Sequence, residues 1–265
     1  MNIDILKNSN KFFLIAGPCA VECKDICFEI AEHLLAITTK LNIPFVFKAS
    51  YKKANRSKID SFTTIGEDKA LQILAEVKAH FNVPILTDVH ETTDCEIVKD
   101  IVDIIQIPAF LCRQTDLLIA AGKTGKMVNI KKGQFVSAEM MQFAAEKVLS
   151  SGNKKIMLTE RGTMFGYNDL IVDFRNIQTM KQFGFPVVFD ATHSIQQPNK
   201  QTGVSGGSPE FINTLAKCAI AAGADGIFLE THPNPKKALS DGANMLALNE
   251  VKLLLEKLLK IKNSL

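Results

Sequence analysis

The chain of 265 residues lacks a field of one charge: Lys+Arg 31 stand against Asp+Glu 28, a formal net charge of +3 with the signs interspersed. Neutralising a phosphate backbone needs a concentrated basic face, so nucleic acid is not an expected partner. Long apolar runs are also missing. The best of them, 251–259, is cut by Lys and Glu well short of the ~20 residues that span a bilayer, so no membrane association is expected. Residues 1–11 are polar, without the apolar block and small-residue cleavage site of a secretory signal, which predicts a cytoplasmic protein. None of the six cysteines forms a Cys-x-x-Cys pair, and in a reducing compartment they are expected as thiols. Cys23 and Cys27 read as small buried hydrophobes on the inner face of the first helix.

Two nucleotide signatures are absent as well. No Gly-x-Gly-x-x-Gly follows the first strand, which argues against a dinucleotide-binding fold. Ser205-Gly206-Gly207-Ser208 is Gly-rich but has neither the spacing nor the Lys of a P-loop, and reads as a flexible, lid-like segment after the seventh strand.

What is present is regular. Short runs rich in Val, Ile and Phe occupy 12–16, 44–48, 84–88, 103–107, 127–131, 155–160, 187–190 and 226–230. Their near-continuous apolar character suits parallel strands buried on both faces. Stretches such as 69–80, 138–149 and 209–222 carry apolar residues at helical spacing, and Asn82, Gly152 and Gly223 follow them as helix stops. About eight strand–helix units without a linker predict one α/β domain over residues 1–265, a single (β/α)8 TIM barrel, with an open doubly wound sheet as the rival. A helical tail over 245–261 would close the outer ring.

In such a barrel chemistry sits at the C-terminal ends of the strands. There the sequence places Cys19, Lys48, Asp88 and His90, Gln106, Lys131 and Lys132, Glu160 and Arg161, Asp190 and His193, and Glu230 and His232. Converging on one mouth, this ring is hard to explain as packing. Lys48, Lys53, Arg56, Lys131 and Arg161 suit anionic, phosphate-bearing substrates, and Asn55-Arg56-Ser57 reads as a cradle for a phosphate monoester. Cys19, His193, Glu230 and Asp241 offer a thiolate, an imidazole and two carboxylates, a mixed set for a divalent ion of Zn, Fe, Mn or Co. His90 and His232 compete with His193 for that role, whereas His33 and His80 lie within helical segments.

The motifs at these strand ends carry a resemblance. Ala16-Gly-Pro-Cys19, Phe47-Lys-Ala-Ser50, Lys53-Ala-Asn-Arg-Ser57, Thr87-Asp-Val-His-Glu91, Gln106-Ile-Pro-Ala-Phe110 and Arg113-Gln-Thr-Asp116 resemble the 3-deoxy-D-manno-octulosonate 8-phosphate synthases. So do Asn129-Ile-Lys-Lys132, Arg161-Gly162 with Phe165-Gly-Tyr167, Phe189-Asp-Ala-Thr-His193 and Glu230-Thr-His-Pro233. The Lys-Ala-Asn-Arg-Ser block is the most specific, because the sister deoxyheptulosonate phosphate synthases typically read Lys-Pro-Arg-Thr there.

The resemblance implies condensation of phosphoenolpyruvate with arabinose 5-phosphate, releasing phosphate by C–O cleavage and giving a lipopolysaccharide precursor. It implies that Lys48, Lys131, Arg161 and the Ala109 backbone hold phosphoenolpyruvate. Lys53, Asn55, Arg56 and Ser57 hold the sugar phosphate, Gln106 belongs to the substrate site, and Asp88 and Glu230 are placed for proton transfer or for sugar hydroxyls. It further implies a homotetramer in which Arg113 reaches a neighbouring subunit's site. Members with Asn at the position of Cys19 are metal-independent and members with Cys are metal-dependent, so Cys19, His193, Glu230 and Asp241 are the expected ligands. Ala238-Leu-Ser-Asp241 also resembles the metal-dependent branch. One departure is Ala247, where members often carry Pro. The alternatives are a deoxyheptulosonate phosphate synthase using erythrose 4-phosphate and a non-catalytic barrel that binds metal and sugar phosphate.

Overall fold

A computed structural model describes residues 11–56, 58–165, 169–198 and 206–265. Eight parallel strands form the barrel: β1 (Phe13–Gly17), β2 (Phe45–Lys48), β3 (Ile85–Asp88), β4 (Ile104–Ile107), β5 (Met127–Lys131), β6 (Ile156–Glu160), β7 (Val187–Asp190) and β8 (Gly226–His232). Each pairs with the next, and β8 returns to β1 with Phe13 opposite Gly226, closing the sheet. The expected (β/α)8 barrel is therefore the fold, and closure excludes the open doubly wound sheet. Its helices are α1 (Lys24–Leu41), α2 (Glu67–Phe81), α3 (Thr92–Val98), α4 (Thr115–Lys123), α5 (Met141–Leu149), α6 (Arg175–Lys181), α7 (Ile212–Ala221) and α8 (Val251–Lys262).

Alternation along each strand divides the core in two. Phe13 and Ile15, Val46, Leu86, Ile104, Met127, Met157, Val188 and Phe228 plug the interior of the barrel. Their neighbours Leu14, Phe45, Phe47, Ile85 and Ile105 point outward beneath the helices. Burying each such side chain contributes roughly 1.5–3 kcal/mol, so the two layers carry most of the stability. Gly17 ends β1 where a Cβ would collide with the Lys48 carbonyl, which lets β1 and β2 converge at the mouth.

At the opposite end one device occurs twice. Asp103, just before β4, accepts from the Ile85 amide at 2.9 Å and from Lys78 of α2 at 2.8 Å. Asp225, just before β8, accepts from the Val187 amide at 2.9 Å and from Lys181 of α6 at 2.7 Å.

Helix ends follow backbone chemistry. Asn42 and Asn82 stop α1 and α2 at φ 52° and 50°, a left-handed conformation that asparagine tolerates. Three expectations need correction. Cys27 is buried but Cys23 is exposed, because it is the extended N-cap residue of α1 and not part of its inner face. The tail is not helical from 245: Leu246–Ala247 pairs in parallel with Thr231 and His232 of β8, a 3₁₀ turn (Leu248–Glu250) follows, and α8 starts at Val251. Apolar spacing continues through this extended piece, which hid the boundary. Similarly, 209–211 is a 3₁₀ turn and 138–140 lies before α5. Ala247 has φ −63°, a conformation open to proline, so its departure from the motif leaves the local backbone unchanged. All six cysteines are free, and among the described residues no helix is long and apolar enough to cross a membrane.

Candidate active site

Carrying the inward alternation beyond the apolar plug brings Lys48, Asp88, Gln106, Asn129, Lys131, Arg161, Asp190 and Glu230 to the mouth of the barrel. All of them are buried, and most line one cavity with Lys53, Asn55, Ala109, His193 and Asp241. Lys132 and Glu160 have the opposite parity. They lie behind the wall as a fully buried pair, 3.6 Å apart, and do not line the cavity. Burial pushes the Lys132 pKa down and the Glu160 pKa up. The expectation that every ionisable strand end faces the mouth thus fails for these two, since period 2 sends adjacent residues to opposite faces.

Charges in the cavity are held by specific partners. Lys131 Nζ donates to Asp190 Oδ2 at 2.6 Å and lies 3.7 Å from the Phe228 ring centroid. Asp190 also accepts from the Thr192 and His193 amides at 3.1 and 2.8 Å, and meets His193 Nδ1 at 2.9 Å. Burial alone would raise the Asp190 pKa, but His193 and Lys131 hold the carboxyl well below the usual range. Lys131 is itself pushed down by burial. Lys48 Nζ donates to Glu230 Oε1 at 2.7 Å and to the Cys19 carbonyl at 2.8 Å. Against the effect of burial, Lys48 brings the Glu230 pKa down to about 2. Asp88 accepts from Ser50 Oγ and lies 3.2 Å from His90 Nε2; despite burial its carboxyl is held below the usual range. Gln106 accepts from Asn129 at 3.1 Å, which fixes its amide.

Arg161 donates through one terminal nitrogen to Gln196 Oε1 at 3.0 Å, while the other, Nη1, is buried without a partner among the described residues. A donor left free at the end of a buried cation is suited to an anion.

Beside it lies a cluster of ligand-type atoms. Cys19, Glu230 and Asp241 each offer one within 4.8 Å of the others. His193 Nε2 is 3.7 Å from Glu230 Oε2 and 3.8 Å from Asp241 Oδ2, with its ring held from behind by Asp190. Lys53 Nζ sits 3.1 Å from Cys19 Sγ, whose thiol pKa is pushed up to about 12 by burial with Glu230 adding to it. Asp241 adopts a left-handed conformation, φ 51°, at the head of a 3₁₀ turn. The rival histidines lie beside other carboxylates, outside this cluster. His90 lies between Asp88 and Asp94, and His232 Nδ1 accepts from the Asn234 amide at 2.9 Å, with Glu22 3.7 Å from Nε2.

The loop after β2 is only partly at the cavity. Asn55 lines it, whereas Arg56 is turned onto its own loop, donating to the Ile59 and Ser61 carbonyls at 3.0 and 3.1 Å. Ser57, together with Gly166 and Tyr167 of the Phe165 motif and Ser205 of the Gly-rich segment, lies outside the described residues. Gly206 and Gly207 pair antiparallel with Gln197 and Gln196. Arg113 is exposed before α4 and is not among the residues lining this barrel's cavity. Gln196, which joins Arg161 to Asp241 Oδ1 at 3.3 Å, and Gln134 were not singled out from sequence, because an amide carries no charge to draw notice.

A closed parallel barrel with buried cations and carboxylates gathered at the C-terminal ends of its strands defines the class, a (β/α)8-barrel enzyme. The chain belongs to the family described as DAHP synthetase I family, whose model matches residues 3–265. It is 52% identical to the 2-dehydro-3-deoxyphosphooctonate aldolase of Koribacter versatilis (strain Ellin345), over 98% of this chain and 95% of the relative. Proteins of the same name from Cyanothece sp. (strain PCC 7425 / ATCC 29141) and Francisella tularensis subsp. holarctica (strain LVS) are 49% and 51% identical. They cover 96% and 92% of this chain, and 93% and 89% of their own lengths. The resemblance read from the strand-end motifs is borne out.

Proposed function

We infer that this chain condenses phosphoenolpyruvate with D-arabinose 5-phosphate to give 3-deoxy-D-manno-octulosonate 8-phosphate and inorganic phosphate. Relatives of nearly equal length named for that octonate support the reading. The observation in the molecule that carries it is the buried nitrogen of Arg161, without a partner among the described residues, in a cavity shared with Lys131 and Lys48. In the reaction C3 of phosphoenolpyruvate bonds to the sugar aldehyde carbon, water adds at C2, and the C2–O bond to phosphorus breaks, so one water enters and one phosphate leaves.

Lys48, Lys131, Arg161 and the Ala109 backbone hold phosphoenolpyruvate, and the fixed cations stabilise charge on the departing phosphate. Lys53, Asn55, Arg56 and Ser57 receive the sugar phosphate, Arg56 by leaving the Ile59 and Ser61 carbonyls, and Gln106 belongs to the substrate site. Asp88 and Glu230 are the carboxylates available for proton transfer or for holding sugar hydroxyls. Arg113, which is exposed, serves a neighbouring subunit of a homotetramer. Both substrates are charged metabolites, and we place the reaction in the cytoplasm.

We assign a divalent ion of Zn, Fe, Mn or Co to Cys19, His193, Glu230 and Asp241. The residues fit such an ion: Glu230 Oε2 is buried with no hydrogen-bond partner among the described residues, beside the close sulfur and carboxylate donors and the His193 nitrogen. A mixed sulfur, nitrogen and oxygen set suits these metals. When bound, the ion supplies a Lewis acid for orienting the aldehyde or activating the attacking water.

Phosphate release measured with phosphoenolpyruvate and either arabinose 5-phosphate or erythrose 4-phosphate tests the reading. Turnover with the five-carbon sugar alone, abolished by a strong chelator and restored by Mn or Co, is expected. Preference for erythrose 4-phosphate would overturn the substrate assignment. Full activity in protein shown by elemental analysis to be metal-free would overturn the metal assignment.

A further inference from the structure

We propose that the buried pair Lys132–Glu160, behind the barrel wall, is a positioning device that sets the spacing of Lys131 and Arg161 as a phosphate clamp. The proposal rests on the reading of those two cations as the holders of the phosphoenolpyruvate phosphate. Each member of the pair is the chain neighbour of one member of the clamp, so one outward and one inward cation leave β5 together, and an outward anion and an inward cation leave β6. Consecutive Cα atoms are ~3.8 Å apart across a trans peptide, so a movement of the outward residue is passed to its inward neighbour.

The contacts converge on Gly162, the residue that follows Arg161. Gly162 donates its amide to Glu160 Oε1 at 2.6 Å, and its carbonyl accepts from Lys132 Nζ at 3.3 Å. The two members of the pair therefore grip both polar groups of one residue, itself at φ 89°. Lys132 Nζ also donates to the carbonyls of Gly133 and Val136 at 3.2 and 3.4 Å and to Thr163 Oγ1 at 3.1 Å. It thus ties the loop after β5 to the loop after β6. Glu160 Oε2 accepts from Asn176 of α6 at 3.0 Å, anchoring the device to the outer ring. Both side chains are fully excluded from solvent. A pair so buried contributes little net stability compared with apolar side chains of the same volume, so stability alone does not explain its place. Its geometry does, because it fixes where two inward cations point.

The test is steady-state kinetics with each substrate varied, together with thermal melting, on Glu160→Gln, on the double variant Lys132→Met/Glu160→Leu, and on Arg161→Ala as control. Arg161→Ala should raise KM for phosphoenolpyruvate; if it leaves that KM at the wild-type value, the clamp reading itself fails. Glu160→Gln should raise KM for phosphoenolpyruvate about tenfold or more, while KM for arabinose 5-phosphate stays within about twofold. The double variant leaves no buried charge unpaired, so its melting temperature should recover relative to Glu160→Gln while KM for phosphoenolpyruvate stays raised. Return of that KM to the wild-type value along with the melting temperature would show a merely structural pair and overturn the proposal. Equal changes in both KM values for Glu160→Gln would do the same. If the double variant does not fold, Thr163→Val, which removes a single Lys132 contact, replaces it, and an unchanged KM for phosphoenolpyruvate there counts against the proposal.

Discussion

Asp190→Asn is the substitution whose consequences follow most directly from the geometry. The carboxylate is wholly buried, accepts from two backbone amides through Oδ1, and meets Lys131 and His193 through Oδ2. Asparagine keeps one oxygen, which the Thr192 and His193 amides claim. Its NH₂ group then faces the Lys131 ammonium, donor against donor, at a site where the native separation is 2.6 Å. Removing one partner of a buried ion pair costs about 3–5 kcal/mol, because the remaining charge has neither water nor a counter-ion. For a chain of this size each kcal/mol lowers the melting temperature by roughly 2–4 °C, so a fall of roughly 6–20 °C is expected. Lys131 relieves part of that cost by releasing its proton, which removes a positive charge from the proposed phosphate site, so KM for phosphoenolpyruvate should rise by about 10- to 100-fold. Differential scanning calorimetry and the phosphate-release assay measure the two effects. A melting temperature within about 2 °C of wild type, with KM unchanged, would refute the claim that Asp190 holds Lys131 charged and in place.

Asp103→Ala and Asp225→Ala each remove a carboxylate that bonds a strand amide and a helix lysine, and each should cost about 1–3 kcal/mol in chemical denaturation. The two sites share no partner, so the double variant should show the sum within about 0.5 kcal/mol; strong non-additivity would contradict their independence. Asp94 is buried, which alone would raise its pKa, but Lys52 and the His90 and Glu91 amides hold it below the usual carboxylate value. A depressed folded pKa stabilises above the unfolded value, about 3.9, and that stability is lost as pH falls through the folded pKa. Asp94→Asn should therefore flatten the acid side of the stability–pH curve, and an unchanged slope would refute the assignment. Arg113→Ala and Lys131→Ala should each be nearly inactive alone and should regain roughly a quarter of wild-type sites when refolded together, since random pairing gives one half times one half. No recovery in confirmed mixed oligomers would mean that Arg113 serves its own barrel.

Legibility in the sequence tracked burial. All eight strands could be read because strands covered on both faces are apolar throughout, and their observed bounds differ from the reading by at most two residues at either end. The strand ends were legible as a set, but the face each residue takes was not used. Counting by two from Met127 places Lys131 inward and Lys132 outward, and counting from Met157 places Arg161 inward and Glu160 outward. Cys23 was misread because helical spacing does not announce that the helix begins one residue later. The last helix was started early because Leu246 and Leu248 continue its apolar rhythm through an extended segment that tertiary pairing with β8 dictates. Gln196 was out of reach, since its role depends on the proximity of Arg161 and Asp241, far apart in the chain.

The central claim, a condensation in which phosphate leaves with C–O cleavage, is tested most directly with phosphoenolpyruvate carrying ¹⁸O in the bridging position. With arabinose 5-phosphate present, the label should appear in inorganic phosphate, released one for one with the eight-carbon product, and without the sugar no phosphate should be released. Label retained in the organic product, or phosphate released at the same rate without the sugar, would contradict the account.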